Sequence, residues 1–253
     1  MCLIVFAWKT HPDFPLIVAA NRDEFHARPT APAGFWDDQS GILAGCDLEG
    51  LGTWLGITRG GRFAAVTNYR DTTTAPRDVV SRGVLASRYL RSDEAPNVFA
   101  AAVEANGAVY RGFNFLAGDR TELCWVSNRG GRARSIEPGV HGLSNHLLDT
   151  PWPKVTQGKR RLEQILEFAP AVEPLLELLA DTSEAAESAL PDTGVGPERE
   201  RLLSAARIVS PAYGTRCSSA LVVGADGQVR FAERTYRSDG TERDTLRYEF
   251  SLS

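Results

Sequence analysis

The sequence predicts a layered α+β domain, with two mostly antiparallel sheets in the middle and helices outside them. Three observations predict it. Runs of strand length and helical patterns come in blocks (strands, helices, strands, helices, strands) rather than alternating one by one. Successive strand-like runs are joined by short turns, which suits hairpins and antiparallel pairing. The Gly-rich stretches carry no phosphate-loop or dinucleotide signature, so a doubly wound parallel sheet is not expected.

The elements follow in order. Cys2–Trp8 reads as a buried strand by its β-branched and aromatic content. Residues 16–20 form a second apolar run that pairs with it as a hairpin and stops at Asn21-Arg22-Asp23-Glu24. Residues 26–40, rich in Pro, Ala and Gly around Phe35-Trp36, read as an ordered loop or flap. Residues 42–46, 54–58 and Phe63–Asn68 are short strands, with the Gly-punctuated turn Gly50-Leu51-Gly52-Thr53 leading to Trp54. A helical face over 79–90 rests on Val80, Val84, Leu85 and Leu90. A second helix over 95–106 is bracketed by Asp93 as N-cap, Pro96 in its first turn and Gly107 after its end. Phe113–Gly118 and Leu123–Ser127 make a hairpin, and 140–144 a further strand leading into Asn145-His146. Helices are expected over 153–168 and Val172–Leu179, then an acidic connection over 181–198. Strands over 218–223, 229–236 and 245–250 close the chain, the first two joined at Gly224-Ala225-Asp226-Gly227.

The chain of 253 residues suits a single domain over 1–253. Hydrophobic content of 43% and charged content of 24% are those of a soluble globular protein. The net charge of −4 argues against nucleic acid as a partner. No apolar run is long enough to span a bilayer, so no stable membrane insertion is expected. With no signal-peptide pattern, a cytoplasmic location is expected. Cys2, Cys46, Cys124 and Cys217 are scattered without a C-x-x-C pair, so neither a disulfide framework nor a structural zinc site is expected. His141, His146 and Asp149 fit no strong metal motif either.

Polar residues gather at strand ends: Cys2, then Asn21-Arg22-Asp23-Glu24, Thr67-Asn68-Tyr69-Arg70, Ser144-Asn145-His146 and the group from Tyr213 to Ser219. Taken singly, each has an ordinary structural role, in turns or at solvated edges. Their recurrence favours a shared site. Removal of an initiator methionine before a small residue would expose Cys2 with a thiol and an α-amine of pKa about 7.7–8.0, a nucleophile and its base on one residue. Acyl transfer by such a residue also needs oxyanion donors, which Asn68 and Asn145 supply by type. Nearby positive charge, from Arg22 and Arg216, would lower the thiol pKa. Asp23 would accept from the amine. The bland alternative for Cys2 is the small apolar start of a buried strand.

The segments Met-Cys-Leu-Ile, Ala-Asn-Arg-Asp-Glu, Gly-Thr-Trp-Leu-Gly-Ile, Val-Thr-Asn-Tyr-Arg, Leu-Ser-Asn and Tyr-Gly-Thr-Arg resemble the N-R-D-E family, that of transport and Golgi organisation protein 2. The resemblance runs from Cys2 to the strand at 229–236. A more distant one, to the bile salt hydrolase and penicillin V acylase branch of the N-terminal nucleophile (Ntn) hydrolases, implies a four-layer α-β-β-α fold and amide hydrolysis. By position Cys2 resembles the nucleophile, Arg22 and Arg216 the two arginines, and Asn68 and Asn145 the two asparagines near the scissile carbonyl. The acylases place an Asp three residues after the first of those arginines; here Phe25 stands there, and the partner of the amine lies between Asp23 and Glu24.

Two readings follow. The first is an N-terminal cysteine amidohydrolase acting on a linear acyl amide, or a protein retaining that site, with no cofactor and with Trp54, Tyr69 and Trp36 lining an acyl pocket. The second, implied by the family's association with haem mobilisation and with lipid or coenzyme A homeostasis, is a carrier of haem or another hydrophobic ligand.

Overall fold

A computed structural model describes residues 2–37, 41–72 and 80–253. In chain order its elements are β1 (Cys2–Trp8), β2 (Leu16–Phe25), β3 (Thr30–Phe35), β4 (Ile42–Asp47), β5 (Leu55–Thr58), β6 (Phe63–Asn68), α1 (Gly83–Arg91) and α2 (Pro96–Ala105). Next come β7 (Phe113–Gly118), β8 (Leu123–Ser127), β9 (Arg134–Ser135), β10 (Gly139–Leu143), α3 (Pro153–Leu166) and α4 (Val172–Leu179). The chain closes with α5 (Pro197–Leu202), β11 (Tyr213–Val223), β12 (Gln228–Tyr236) and β13 (Glu242–Ser251). One sheet has the order β10-β1-β2-β11-β12-β13 and the other β3-β4-β5-β6-β7-β8-β9. The pairings within both are antiparallel.

The period of two along each strand sorts side chains into layers. On β1, Ile4, Phe6 and Trp8 enter the cluster between the sheets, with Val18, Leu43, Phe63, Leu116 and Phe231. The alternate residues Leu3, Val5 and Ala7 pack beneath α3 and α4, against Val155, Leu162, Leu175 and Leu179. The outer face of the second sheet, through Ala64, Val66 and Phe115, packs on Leu85 and Tyr89 of α1 and Phe99 of α2. These three clusters make the four layers α-β-β-α. Each fully buried Leu or Phe contributes about 1.5–3 kcal/mol. Close layer contact at α3 depends on Gly158, where a Cβ would meet Val5 Cγ1 at 2.8 Å.

Several expectations need correction. Asn21-Arg22-Asp23-Glu24 does not follow the second strand; it belongs to β2, paired with β1 at Arg22 and with β11 as far as Phe25. Strand pairing continues because β1 takes up backbone groups as far as Arg22 and β11 as far as Phe25. The loop expected over 26–40 contains β3, an edge strand that admits Pro32 at a bulge between Ala31 and Gly34. Residues 38–40 of that loop and Met1 lie outside the described residues. So does Val79, at the start of the helix expected over 79–90; α1 begins at Gly83. Pro96 starts α2 with Ala95 as N-cap rather than Asp93. The acidic connection ends in the short helix α5. Among the described residues no helix is long and apolar enough to cross a membrane.

Candidate functional site

The parity that puts Ile4 and Phe6 between the sheets also puts the Cys2 side chain there, and across the β1–β2 pair Cys2 stands opposite Arg22. Cys2 is half-buried and lines a cavity of about 690 Å³. Arg22, Asp23, Glu24, Arg28, Asp47, Glu49, Trp54, Asn68, Arg82 and Arg111 lie on the same wall. Burial pushes the Cys2 thiol up, as does the negative charge of Asp23, while the backbone amide of Asp23 and the charge of Arg22 act the other way.

Arg22 is fixed from three sides. Its Nη2 donates to Asp47 Oδ2 at 3.4 Å, its Nη1 donates to Thr30 Oγ1 at 3.2 Å, and the guanidinium lies 4.3 Å from the Trp54 ring centroid. Asp47 also accepts from Arg28 Nε at 2.7 Å, and Arg28 Nη1 reaches Glu49 Oε1 at 3.1 Å. Oδ1 of Asp47 takes the amides of Glu49 and Gly50, at 3.1 and 2.9 Å. Burial acts to raise the Asp47 pKa, but the Arg28 hydrogen bond and the Gly50 amide hold it below the usual carboxylate range. Trp54 is held in turn by Gly45 on β4: a Cβ there would meet the indole at 2.2 Å.

Asp23 points, by parity, to the helix side of β2. Its Oδ1 accepts from Thr215 Oγ1 at 2.6 Å, and its carbonyl accepts from Tyr213 OH at 3.1 Å. Burial raises its pKa, opposed by the charge of Lys154 and the Thr215 hydroxyl. Lys154, at the start of α3, is 4% exposed and its Nζ has no hydrogen-bond partner among the described residues. Burial lowers its pKa to about 8, against the pull of Asp23 and Cys2.

The ends of the two sheets are stitched together beside Cys2. Asn145 Nδ2 donates to Asn68 O at 2.9 Å, the Arg70 amide donates to Asn145 O at 2.7 Å, and Thr67 Oγ1 donates to Ser144 O at 2.7 Å. Ser144 Oγ donates to the Cys2 carbonyl at 3.0 Å. Asn68 lines the cavity, and its side-chain amide has no partner among the described residues.

Of the residues expected to share a site, Cys2, Arg22, Asp23, Asn68 and Trp54 come together, with Glu24 beside them. Asn145 stands one layer back, its side chain committed to Asn68. Arg216 lies off the wall: at the bulge in β11 its Nη1 donates to the carbonyls of Phe25 and Arg28, at 2.9 and 3.0 Å, and so closes the turn after β2. Tyr69 stacks on His146 at 4.9 Å, outside the cavity. Trp36 is no flap residue. Its Nε1 donates to Ala44 O at 3.0 Å, Arg91 lies 4.5 Å over its ring, and it packs beneath α1.

Sequence reasoning missed Arg28, Asp47, Glu49, Arg82, Arg111 and Lys154. Asp47-Leu48-Glu49-Gly50 carried one usable signal, an Asx-type turn opening on the strand end. The others come from turns and a helix start that no periodicity marks.

Fold and site together define a two-sheet α-β-β-α protein whose polar cavity opens beside the first residue of β1. The chain belongs to the transport and Golgi organisation 2 family, whose model matches residues 1–238. It is 38% identical to the Bos taurus transport and Golgi organization protein 2 homolog, over all of this chain and 99% of that protein. Against the Drosophila melanogaster protein the identity is 30%, over 93% of this chain and 92% of the other. Among solved structures, the conjugated bile acid hydrolase C2A mutant of Clostridium perfringens aligns at TM-score 0.45 and 10% identity, over 100% of this chain and 98% of that one. The Caenorhabditis elegans N-acylethanolamine-hydrolyzing acid amidase ortholog aligns at 0.44 and 12%, over 87% and 92%.

Proposed function

We propose that this protein is an N-terminal-nucleophile amidohydrolase in which Cys2, freed by loss of Met1, cleaves a linear acyl amide. The observation that carries this reading is that Cys2 and Asn68 line one cavity of about 690 Å³, and that the Asn68 side-chain amide has no hydrogen-bond partner among the described residues. The charged wall favours a polar substrate over a flat apolar ligand.

The reaction would run in two halves. The Cys2 α-amine takes the thiol proton and the sulfur bonds to the acyl carbon. The Asn68 N–H groups face the oxyanion that develops. Collapse breaks the C–N bond, and the proton held on the α-amine passes to the leaving amine. Water, deprotonated by the same amine, then adds to the thioester; the acid leaves and the thiol recovers its proton. Burial pushes the resting thiol up, so deprotonation depends on the adjacent base rather than on a standing thiolate. Asp23 is the carboxylate assigned to the amine; Thr215 orients it and the charge of Lys154 favours its ionised form. Asn145 and Arg216 act as positioning residues.

The test incubates purified protein with a panel of linear acyl amides beside Cys2→Ala, with the intact mass measured on the same samples. Wild-type chain lacking Met1 should release amine, and Cys2→Ala should not. Equal release by both proteins, or release by chain that retains Met1, would overturn the proposal.

A further inference from the structure

The cavity carries four arginines, but they are not in the same state. Arg22 and Arg28 are neutralised by Asp47 and Glu49. Arg82 and Arg111, on the same wall, have no carboxylate partner among the described residues. They are held side by side. Val80 bridges to Tyr110, and Arg82 Nη1 donates to Gly112 O at 3.1 Å, which fixes one guanidinium next to the turn that carries the other. The remaining N–H groups of half-buried Arg82, and the whole fork of exposed Arg111, make no hydrogen bond among the described residues. Two like charges close together repel unless an anion sits between them. Burial lowers the Arg82 pKa, and the charge of Arg111 acts in the same direction, against the pull of Glu24. Of the wall carboxylates outside the Asp47–Glu49 pair, Asp23 is turned to Thr215, and Glu24 accepts from the Phe25 amide at 2.8 Å and makes no ion pair within 4 Å among the described residues, its charge reaching Arg82 only at longer range.

We infer that Arg82 and Arg111 form an anion-binding end of this cavity that takes a phosphate group carried by the ligand, while the rest of the ligand reaches toward Cys2. A doubly charged phosphate, with three oxygens to share between two forks, matches the pair; a carboxylate fills only one. The assignment deepens the hydrolase reading by naming its substrate class, phosphorylated acyl amides. The binding itself does not require turnover.

The experiment is calorimetric titration of Cys2→Ala with three matched probes: N-hexanoyl-O-phosphoethanolamine, N-hexanoylethanolamine and N-hexanoylglycine. The phosphorylated amide should bind at least about ten-fold tighter than the neutral one. Adding Arg111→Gln, at an exposed position that the fold does not need, should remove most of that preference and leave the neutral probe unchanged. Adding Arg82→Lys, which keeps a charge but not the fork, should reduce it too. Equal affinity for the phosphorylated and neutral probes overturns the inference, as does absence of binding by the phosphorylated probe at millimolar concentration. Equal affinity for the glycine probe and the phosphorylated one overturns the phosphate assignment. If the wild type hydrolyses none of the probes yet the preference is present, the hydrolase reading fails and the anion end stands.

Discussion

Lys154 and Asp23 occupy the buried layer directly behind the thiol, and each sets the charge of the other. Lys154 has a folded pKa of about 8, below its ordinary value near 10.5. The unfolded chain therefore binds the proton more tightly, and stability rises with pH between about 8 and 10.5. Denaturant unfolding across that window should show a slope contribution of up to about 1.4 kcal/mol per pH unit, lost in Lys154→Met. Parallel curves for the two proteins would contradict the burial of a neutralisable amine. Thr215→Val removes the hydroxyl that donates to Asp23 and should cost about 1–3 kcal/mol by the same measurement. At Asn68, replacement by Ala should lower kcat by about 10²–10³ with the fold intact, as expected for an oxyanion donor. If KM rises and kcat is unchanged, the side chain binds substrate instead.

At the scale of elements, β2 decides where the site falls. Its apolar half was legible from 16–20, but its polar half read as a strand end, because Asn, Arg and Asp are poor strand formers on their own. Tertiary partners reverse that preference. Asn21 Nδ2 donates to Leu179 O and Ala206 O at 3.0 and 2.7 Å, while its Oδ1 accepts from Ser218. Those partners lie more than 150 residues away in sequence, beyond the reach of any local pattern. Asn21→Leu should cost about 3 kcal/mol in equilibrium unfolding, since it removes the donor to the Leu179 and Ala206 carbonyls and one of the two partners of the Ser218 hydroxyl. Cys2, Arg22 and Asn68 could be grouped from sequence because each stands where an apolar strand-like run begins or ends and because each matches the family resemblance. Arg28, Arg82 and Lys154 sit in turns and at a helix start, which carry no such mark. Packing reaches the site through β4 as well. Gly45→Ala would drive a methyl into the Trp54 indole and displace the surface on which Arg22 rests, costing about 1–3 kcal/mol.

For the molecule as a whole, the cluster between the sheets draws on both of them, from Ile4 and Val18 to Leu43, Phe63 and Phe231. Shared burial of this kind predicts that the sheets unfold together, in one cooperative transition seen alike by far-ultraviolet dichroism and tryptophan fluorescence. Phe231→Ala in that cluster should cost about 3–5 kcal/mol. Phe168→Ala, 73% exposed after α3, should fall within about 0.5 kcal/mol of wild type. The layer order was legible because blocks of strands and helices leave few other ways to cover two sheets. The edge strands β3 and β9 were not, since neither has a run of apolar residues long enough to mark it.

The stitch between Asn145 and Asn68 has a mechanical side. It joins the two sheets at one corner of the cavity by hydrogen bonds through the backbones of β6 and the segment after β10. Sliding one sheet past the other would break these bonds together, so this corner behaves as a fixed pivot.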